Sequence, residues 1–537
     1  MAHDETWERG DEQWSTIPDV IEAAAERWGA ASAVVDGETT LSYAQLAAAV
    51  GEAATAFAAS GLEPGQSVGL WAPNRWEWIV AAAAVQRAGG VLVPLNTRFK
   101  GGEAGYVLAK SRATHLVVVA DFLGTDYVAA LRAAMGGRGK SHPIVDLPGL
   151  RHVVTLDGVT DGDVTSWADF VASAAGAQLE DRSRPDGISD LLFTSGTTGR
   201  PKGVMVTHAQ SLRSFRDWAG IVGLAEGDRY LVVNPFFHSF GYKAGWLAAL
   251  MVGAVVFPHA VFEATSVMDA IESHRITMIP GPPTLYQSIL SHPQLGARDL
   301  SSLRLAVTGA ASIPVELILR MRAELGFETV LTAYGLTETC GVVSVCRQDD
   351  DPETIATTSG RAIPDLEVRC VDDAGDEVAA GTQGEVVVRG YNVMEGYFED
   401  PEETAAAIDA DGWLHTGDLG IMDERGYLRI TDRLKDLFIV GGFNAYPAEI
   451  ERQLLTDERL AQVAVIGVPD ERLGEVGKAF VVVRPGAEVT VDELLAWCRE
   501  HLANYKVPRT IEIVDALPLN ASGKVLKYEL RSGPGPT

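Results

Sequence analysis

Residues 191–203 read Leu-Leu-Phe-Thr-Ser-Gly-Thr-Thr-Gly-Arg-Pro-Lys-Gly and concentrate the chemistry of an anion cradle. Gly196 and Gly199 let backbone N–H groups wrap closely around an anion. The hydroxyls of Thr194, Ser195, Thr197 and Thr198 donate to phosphate oxygens, and Lys202 adds positive charge. The apolar run ending at Phe193 predicts a buried strand that feeds straight into this loop. The Walker pattern G-x-x-x-x-G-K-[ST] cannot be aligned here. Its nearest mimic, Ala134 to Ser141 (AMGGRGKS), has Ala where the first Gly belongs and no strand before it, so it reads as a surface loop. A Gly/Ser/Thr-rich stretch on its own is more often a linker. The density of this one, placed directly after a buried strand, sets it apart.

Positioning such a loop requires a large, regular scaffold, and the pattern of elements supplies one. Ser42 caps a helix running to about Ser60, which ends at a Gly-Leu-Glu-Pro-Gly turn. SVGLWAP then reads as a strand, WEWIVAAAAVQRAG as a helix and GVLVPLN as the next strand. The alternation returns as AVVFP, a helix from Ser266 and ITMIPG, then LRLAVTG, a helix from Pro314 to Leu325 and TVLTAYG. Strands that are apolar throughout, alternating with helices, imply parallel sheets covered on both faces. After about residue 360 short strands and turns (LEVRCVDDAGDEV, GEVVVRG) mark a smaller β-rich unit. From about residue 436 a last segment resumes a mixed α/β pattern with its own apolar periodicity, including a helix at Pro447–Leu455.

Composition narrows the partners. The 537 residues are 47% apolar and 22% charged, with a formal charge of −29, so a general affinity for nucleic acid or anionic lipid is excluded. The four cysteines (Cys340, Cys346, Cys370, Cys498) form no C-x-x-C pair and share no metal-ligand spacing with His, and they read as small buried hydrophobes in a reducing cytosol. The acidic N-terminus is unlike a signal peptide. The uncharged run Ala244 to Phe262, broken by Gly253 and Pro258, reads as a buried helix and strand rather than a membrane span. A cytoplasmic protein is expected, and a homo-oligomer is compatible with the sequence.

The loop at 194–203 is joined by Tyr334-Gly335-Leu336-Thr337-Glu338, Trp413-Leu414-His415-Thr416-Gly417-Asp418, Asp432-Arg433-Leu434-Lys435-Asp436 and Asn520-Ala521-Ser522-Gly523-Lys524. In this order, and over roughly residues 15 to 531, the five stretches resemble the adenylate-forming superfamily of acyl-CoA synthetases, amino-acid adenylation domains and luciferases. The resemblance implies a large N-terminal domain (1–432) of two doubly wound α/β subdomains plus a β-barrel-like subdomain. A hinge (433–436) would join it to a small α+β C-terminal lid (437–537).

It also implies roles. Thr194 to Lys202 would hold the β- and γ-phosphates of ATP. Tyr334, followed by Gly335, would stack on adenine, with Gly309, Ala310 and Ala311 on the other side. Thr337 would contact phosphate and Glu338 would hold Mg²⁺. Asp418 would accept both ribose hydroxyls, and Arg433 would add a ribose or phosphate contact. Lys524 would bridge the attacking carboxylate and the α-phosphate. Two anions about 4 Å apart repel by roughly 4 kcal/mol at an effective dielectric of ~20, which a mobile lysine offsets. Lys435 would lie at the hinge, and Gly441-Gly442 would leave room for the pantetheine arm of CoA.

The stretch Asn234-Pro235-Phe236-Phe237-His238-Ser239-Phe240-Gly241 falls at the family's substrate gate. It lacks the Asp that amino-acid-activating members place there, so an acid without an α-amine is expected, with His238 either a carboxylate-side gate or a core residue. No carrier-protein segment follows in the chain, which favours diffusible CoA as acceptor. An amino-acid adenylating enzyme, a luciferase-type oxygenase and a non-catalytic nucleotide-binding protein remain alternatives; the last would be expected to lose Glu338 or Lys524. NPFFHSFGYKAG, ITMIPGPPTLYQSIL and IGVPDERLGEVGKAFVV further resemble the actinobacterial ligases that activate the methylhexahydroindanedione propionate of steroid degradation, with a medium-chain or aryl acid as the alternative. Phe236, Phe237, Phe240, Tyr242 and Trp246 would then wall a flat pocket, and His238, Tyr242 or Lys243 would donate to ring ketones. The same aromatics would equally serve as core.

Overall fold

Ser42 accepts a hydrogen bond from the Gln45 N–H (3.2 Å) while Gln45 Oε1 accepts the Ser42 N–H (2.8 Å). This reciprocal cap starts the helix Tyr43–Ala59 where the sequence places it. The computed structural model describes residues 13–136, 147–158, 162–195, 201–309, 313–440, 443–470, 472–502, 504–520 and 524–532. Helix Trp76–Arg87 is buried on nearly every side, because WEWIVAAAAVQR has no broad polar face to offer solvent. It lies between two sheets, meeting Ser67–Trp71 and Val91–Pro94 of one and Ser32–Asp36 of the other. Helices Ile17–Trp28, Tyr43–Ala59, His208–Val222 and Ala248–Val252 complete this shared layer.

The first sheet has eight strands. Six parallel ones, from Ile188–Ser195 through Val91–Pro94, Ser67–Trp71 and His115–Val118 to His152–Thr155 and Val164–Ser166, are extended by Pro201–Thr207 and Gly396–Tyr397, each antiparallel to its neighbour. In the second, Ser32–Asp36, Val255–Pro258 and Arg229–Val232 lie parallel, and bridges through Met278 join them to Leu305–Gly309 and Thr329–Tyr334. The uncharged run is not a span: it folds into the helical turns Tyr242–Leu247 and Ala248–Val252 and the strand Val255–Pro258. Among the described residues no helix is long and apolar enough to cross a membrane. One expected boundary moves. The helix read from Ser266 begins at Ala264, because the Glu263 carboxylate caps it by accepting the Thr265 and Ser266 N–H groups.

The β-rich unit is a four-stranded antiparallel sheet, Glu367–Val371, Gln383–Arg389, Leu414–Met422 and Leu428–Arg433, over a small core of its own. One turn, Leu434–Asp436, separates it from the C-terminal unit. That unit wraps Gly474–Val483 and Leu460–Asp470 with two helices and buries a separate cluster including Phe438, Ile450, Leu454, Val465 and Leu494. All four cysteines are buried thiols.

Candidate active site

Thr194 is the last residue but one of the strand Ile188–Ser195, and antiparallel pairing with Pro201–Thr207 sets it directly opposite Lys202. The anion-cradle residues Gly196, Thr197, Thr198 and Gly199 lie outside the described residues, as does the Ser195 side chain. Lys202 Nζ lies 2.8 Å from Glu403 Oε2 and 4.2 Å from the centre of the Tyr397 ring, so an ion pair and a cation–π contact aim it together. Tyr397 OH in turn donates to Glu338 Oε1 at 3.0 Å. Burial, reinforced by the Glu338 charge, pushes the Tyr397 hydroxyl well up, so it stays a donor. The loop cation and the candidate metal carboxylate, 136 residues apart in sequence, thus share one tyrosine. Sequence reading missed Tyr397 and Glu403. Their signal was the Gly-Tyr-Phe-Glu-Asp-Pro-Glu-Glu run, but only the pairing of Gly396–Tyr397 with Pro201–Thr207 brings it to the loop.

A second junction forms where the two parts of the large domain meet. Tyr334, last residue of Thr329–Tyr334, donates its OH to Asp418 Oδ2 at 2.7 Å. Asp418 is almost fully buried and sits opposite Arg433 in the strand register. Its backbone N–H is held by Thr416 Oγ1 (3.1 Å), and Thr416 Oγ1 donates to Val386 O (2.6 Å), which steadies the whole His-Thr-Gly-Asp turn. Gly335 is required by close approach: a Cβ there would lie 2.3 Å from Gly341 O. Gly309 faces the same constraint, 2.8 Å from Ala333 O. Thr337 and Glu338 form a single 3-10 turn just beyond Tyr334. Ala310 and Ala311 lie outside the described residues.

The gate and the lid complete the site. His238 Nδ1 accepts the Phe240 N–H at 3.2 Å, which leaves the proton of the neutral ring on Nε2. Burial, with the Lys524 charge adding to it, pulls His238 down to about 4, so the imidazole is neutral near pH 7. Lys524 belongs to the C-terminal unit. Its hairpin is closed by Asn520 N–H donating to Lys524 O and Lys524 N–H to Asn520 Oδ1, both 2.8 Å, and Arg98 Nη1 ties it to the large domain through Leu519 O at 2.8 Å. The Ala448 N–H to Asp432 Oδ2 (2.9 Å) and Arg531 to Asp436 (3.0 Å) contacts hold the base of the unit. Arg433 and Lys435 belong to the connecting strand and turn, but their side chains, like Gly441 and Gly442, lie outside the described residues.

The flat-walled pocket needs correction. Phe236, Tyr242 and Trp246 are fully buried and pack around Trp78, so they are core; Phe237 and Phe240 remain half-buried beside His238. Tyr242 OH is taken by Gln86 Nε2 (2.7 Å), and Lys243 is ion-paired with Asp190 in the interior, so neither meets a ring ketone. The gate has an organiser that the sequence did not reveal: Asn74. Its Oδ1 accepts the Phe236 N–H (2.7 Å), and its Nδ2 reaches Val232 O and Asn234 O (3.0 and 2.9 Å).

A two-sheet body followed by a small C-terminal unit that carries Lys524 is the architecture of an adenylate-forming enzyme. The chain belongs to the AMP-binding enzyme family, whose model matches residues 21–398, and the family's C-terminal domain matches residues 449–524. It is 49% identical to the 3-[(3aS,4S,7aS)-7a-methyl-1,5-dioxo-octahydro-1H-inden-4-yl]propanoyl:CoA ligases of Rhodococcus jostii and Mycobacterium tuberculosis. Those alignments cover 97% and 96% of this chain and 99% and 98% of the relatives. Feruloyl-CoA synthase of Amycolatopsis is 38% identical over 93% of this chain and 95% of its own. Among solved structures, ATP-bound MatB from Rhodopseudomonas palustris superposes with a TM-score of 0.83 at 30% identity, over 96% of this chain and 98% of that one. The anthranilate CoA ligase AuaEII with anthranoyl-AMP superposes at 0.87 and 26% identity, over 98% of each chain.

Proposed function

We propose that this protein is an ATP-dependent ligase that converts a bicyclic indanedione propionate to its CoA thioester. The observation that carries the substrate is the 49% identity, over nearly the whole chain, to two ligases named for that propanoyl group. Relatives named for feruloyl or medium-chain acids fall to 38% and below. In the first half-reaction a carboxylate oxygen attacks the α-phosphorus, the bond to the bridging oxygen breaks, and pyrophosphate leaves. In the second, the CoA sulfur attacks the acyl carbon, the carbon–oxygen bond to AMP breaks, and the thiol proton is released.

The contacts described above support the following residue roles. Thr194, the 195–199 loop and Lys202 receive the β- and γ-phosphates, with Lys202 aimed by Glu403 and Tyr397. Tyr334 and Asp418, joined by one hydrogen bond, form the adenosine end, where the carboxylate accepts from ribose hydroxyls. Glu338 offers one carboxylate anchored through Oε1, the donor set Mg²⁺ takes when it also binds phosphate oxygens, so the site fits that ion. Bound there, Mg²⁺ would neutralise charge on the phosphates and the leaving pyrophosphate. Neutral His238, with its proton on Nε2, donates to the incoming carboxylate without adding charge. Lys524 then screens carboxylate from phosphate. Rotation at Lys435 would withdraw the lid and open the Gly441-Gly442 side to the pantetheine arm.

The test is kcat/KM for the indanedione propionate against octanoate and ferulate, scored by AMP release with CoA. A preference of tenfold or more for the propionate is expected. Equal or better turnover of octanoate refutes the substrate while leaving the ligase chemistry intact.

A further inference from the structure

Asp190, Lys243 and Cys340 meet in the interior of the large domain, and all three are essentially closed to solvent. Lys243 Nζ lies 3.0 Å from Asp190 Oδ1, an ion pair rather than a well-aligned hydrogen bond, and 3.6 Å from Cys340 Sγ. None of the three belongs to the nucleotide or gate contacts described above, yet each is covalently close to one of them. Asp190 precedes Thr194 by four residues on the strand Ile188–Ser195. Lys243 follows His238 by five residues in the turns Tyr242–Leu247. Cys340 follows Glu338 by two, at a left-handed backbone position (φ 58°), and its N–H closes the Thr337–Thr339 turn on Thr337 O at 3.1 Å.

The surroundings leave the triad little freedom. Ser189 Oγ lies 2.7 Å from Asp190 Oδ2 and 3.0 Å from Val206 O and shares its single proton between them, which keeps the carboxylate beside the neighbouring strand. Gln86 Nε2 reaches both Ser189 O (3.1 Å) and Tyr242 OH (2.7 Å), a second tie between the cradle strand and the gate turns. Ser211 Oγ lies 3.7 Å from Cys340 Sγ. Burial alone would depress the Lys243 ammonium, but the Asp190 carboxylate, with the Cys340 sulfur as a weak acceptor, outweighs it and holds the group above its ordinary value. Burial pushes the Cys340 thiol up, so it remains a thiol. A buried ion pair is a weak source of stability and is often replaceable by apolar side chains without loss. What it does supply is direction: a charge with one partner in a low-dielectric interior tolerates few alternative packings.

We propose that Lys243 is a positioning residue for adenylation, a single cation that holds the phosphate-cradle strand, the His238 gate and the Glu338 turn in one mutual register. This rests on the adenylate-forming reading of the site. The chemistry demands such a register, because carboxylate, α-phosphate and metal carboxylate must each be placed to within about 1 Å of the reacting geometry, and a misplacement of that size costs on the order of 100-fold in rate. The thioester half-reaction uses an acyl-adenylate already formed, with pyrophosphate gone, and depends on the triad far less.

The experiment compares wild type with Lys243→Met/Asp190→Asn, which removes both charges together, and with Cys340→Ala, which severs only the link to the Glu338 turn. Melting temperature, pyrophosphate release with acid and ATP, and thioester formation from preformed acyl-adenylate are measured on each. The double variant is expected to melt within a few degrees of wild type and to lose about 10- to 100-fold in adenylation kcat. Its thioester rate should stay within about threefold, a split that a purely structural role would not produce. Cys340→Ala is expected to lose several-fold in adenylation alone. Unchanged adenylation in either folded variant, or a parallel fall of both half-reactions, overturns the proposal. If the double variant does not fold, Cys340→Ala decides. A wild type that releases no pyrophosphate with any acid instead overturns the adenylate-forming reading, so the two failures are distinct.

Discussion

Replacing Lys524 with Ala should separate the two half-reactions, and the size of the effect can be worked from the contacts around it. Carboxylate and α-phosphate at about 4 Å repel by roughly 4 kcal/mol at an effective dielectric near 20, and one preorganised cation offsets most of that. Deleting it should slow adenylation by about 10²–10³, the range for losing a single electrostatic stabiliser. The hairpin that presents Lys524 offers an internal control. Its link to the large domain through Arg98 Nη1 and Leu519 O is one exposed hydrogen bond, worth about 0.5–1.5 kcal/mol. Arg98→Ala should therefore cost only about 2- to 12-fold in the same step. Adenylation is followed by pyrophosphate release, and transfer by thioester formation from synthetic acyl-adenylate. Transfer should survive both changes, because the lid has then turned away. A Lys524→Ala enzyme that loses both rates equally, or an Arg98→Ala loss as large as that of Lys524→Ala, refutes the reasoning.

Tyr397→Phe keeps the ring beneath Lys202 but removes the donor to Glu338, a hydrogen bond to a charged group worth about 1.5–3 kcal/mol. Adenylation should fall by about 10- to 160-fold and the Mg²⁺ titration should shift to higher concentration; an unshifted titration would count against Glu338 as the metal residue. Asp418→Ala should weaken ATP binding and leave Tyr334 without its partner, seen as a rise in KM for ATP exceeding any rise for the acid. Lys435→Pro should restrict the turn Leu434–Asp436 and impair thioester formation more than adenylation, the opposite split to Lys524→Ala. Acid should destabilise the fold: burial pulls His115 and His208 to about 3 and His238 to about 4, all below the ordinary value of 6.5. The unfolded chain then binds protons that the folded one refuses, so stability is complete above pH 6.5 and declines as pH falls toward 4, by about 1.4 kcal/mol per pH unit for each histidine. Urea midpoints between pH 7 and 5 should show this decline, and His208→Gln should flatten it; a pH-independent midpoint would contradict it.

Local chemistry and periodicity were legible in the chain itself. The stretch 194–202 reads as an anion cradle from sequence because its glycines and hydroxyls need only their own backbone to act together. The strand–helix alternation implied buried parallel sheets, because a strand covered on both faces must be apolar throughout, as Ser67–Trp71 and Val91–Pro94 are. Glu338, Asp418 and Lys524 were singled out through the resemblance of their motifs to a known family, since each taken alone reads as an ordinary surface charge. What the chain did not disclose were contacts between distant segments. Whether Tyr242, Trp246 and Lys243 line a pocket or fill a core depends on which face of a turn meets Trp78 and Asp190, and a run of aromatics reads alike in either case. Tyr397 acquires its place beside Glu338 and Lys202 only because a two-residue strand pairs at the edge of the large sheet. Asn74 looks like an ordinary loop residue until the chain 158–162 positions later closes around it. Residue types and local spacing declare what a side chain can do, whereas its neighbours are settled by packing, in which the burial of one apolar surface forces polar groups far apart in sequence to satisfy one another.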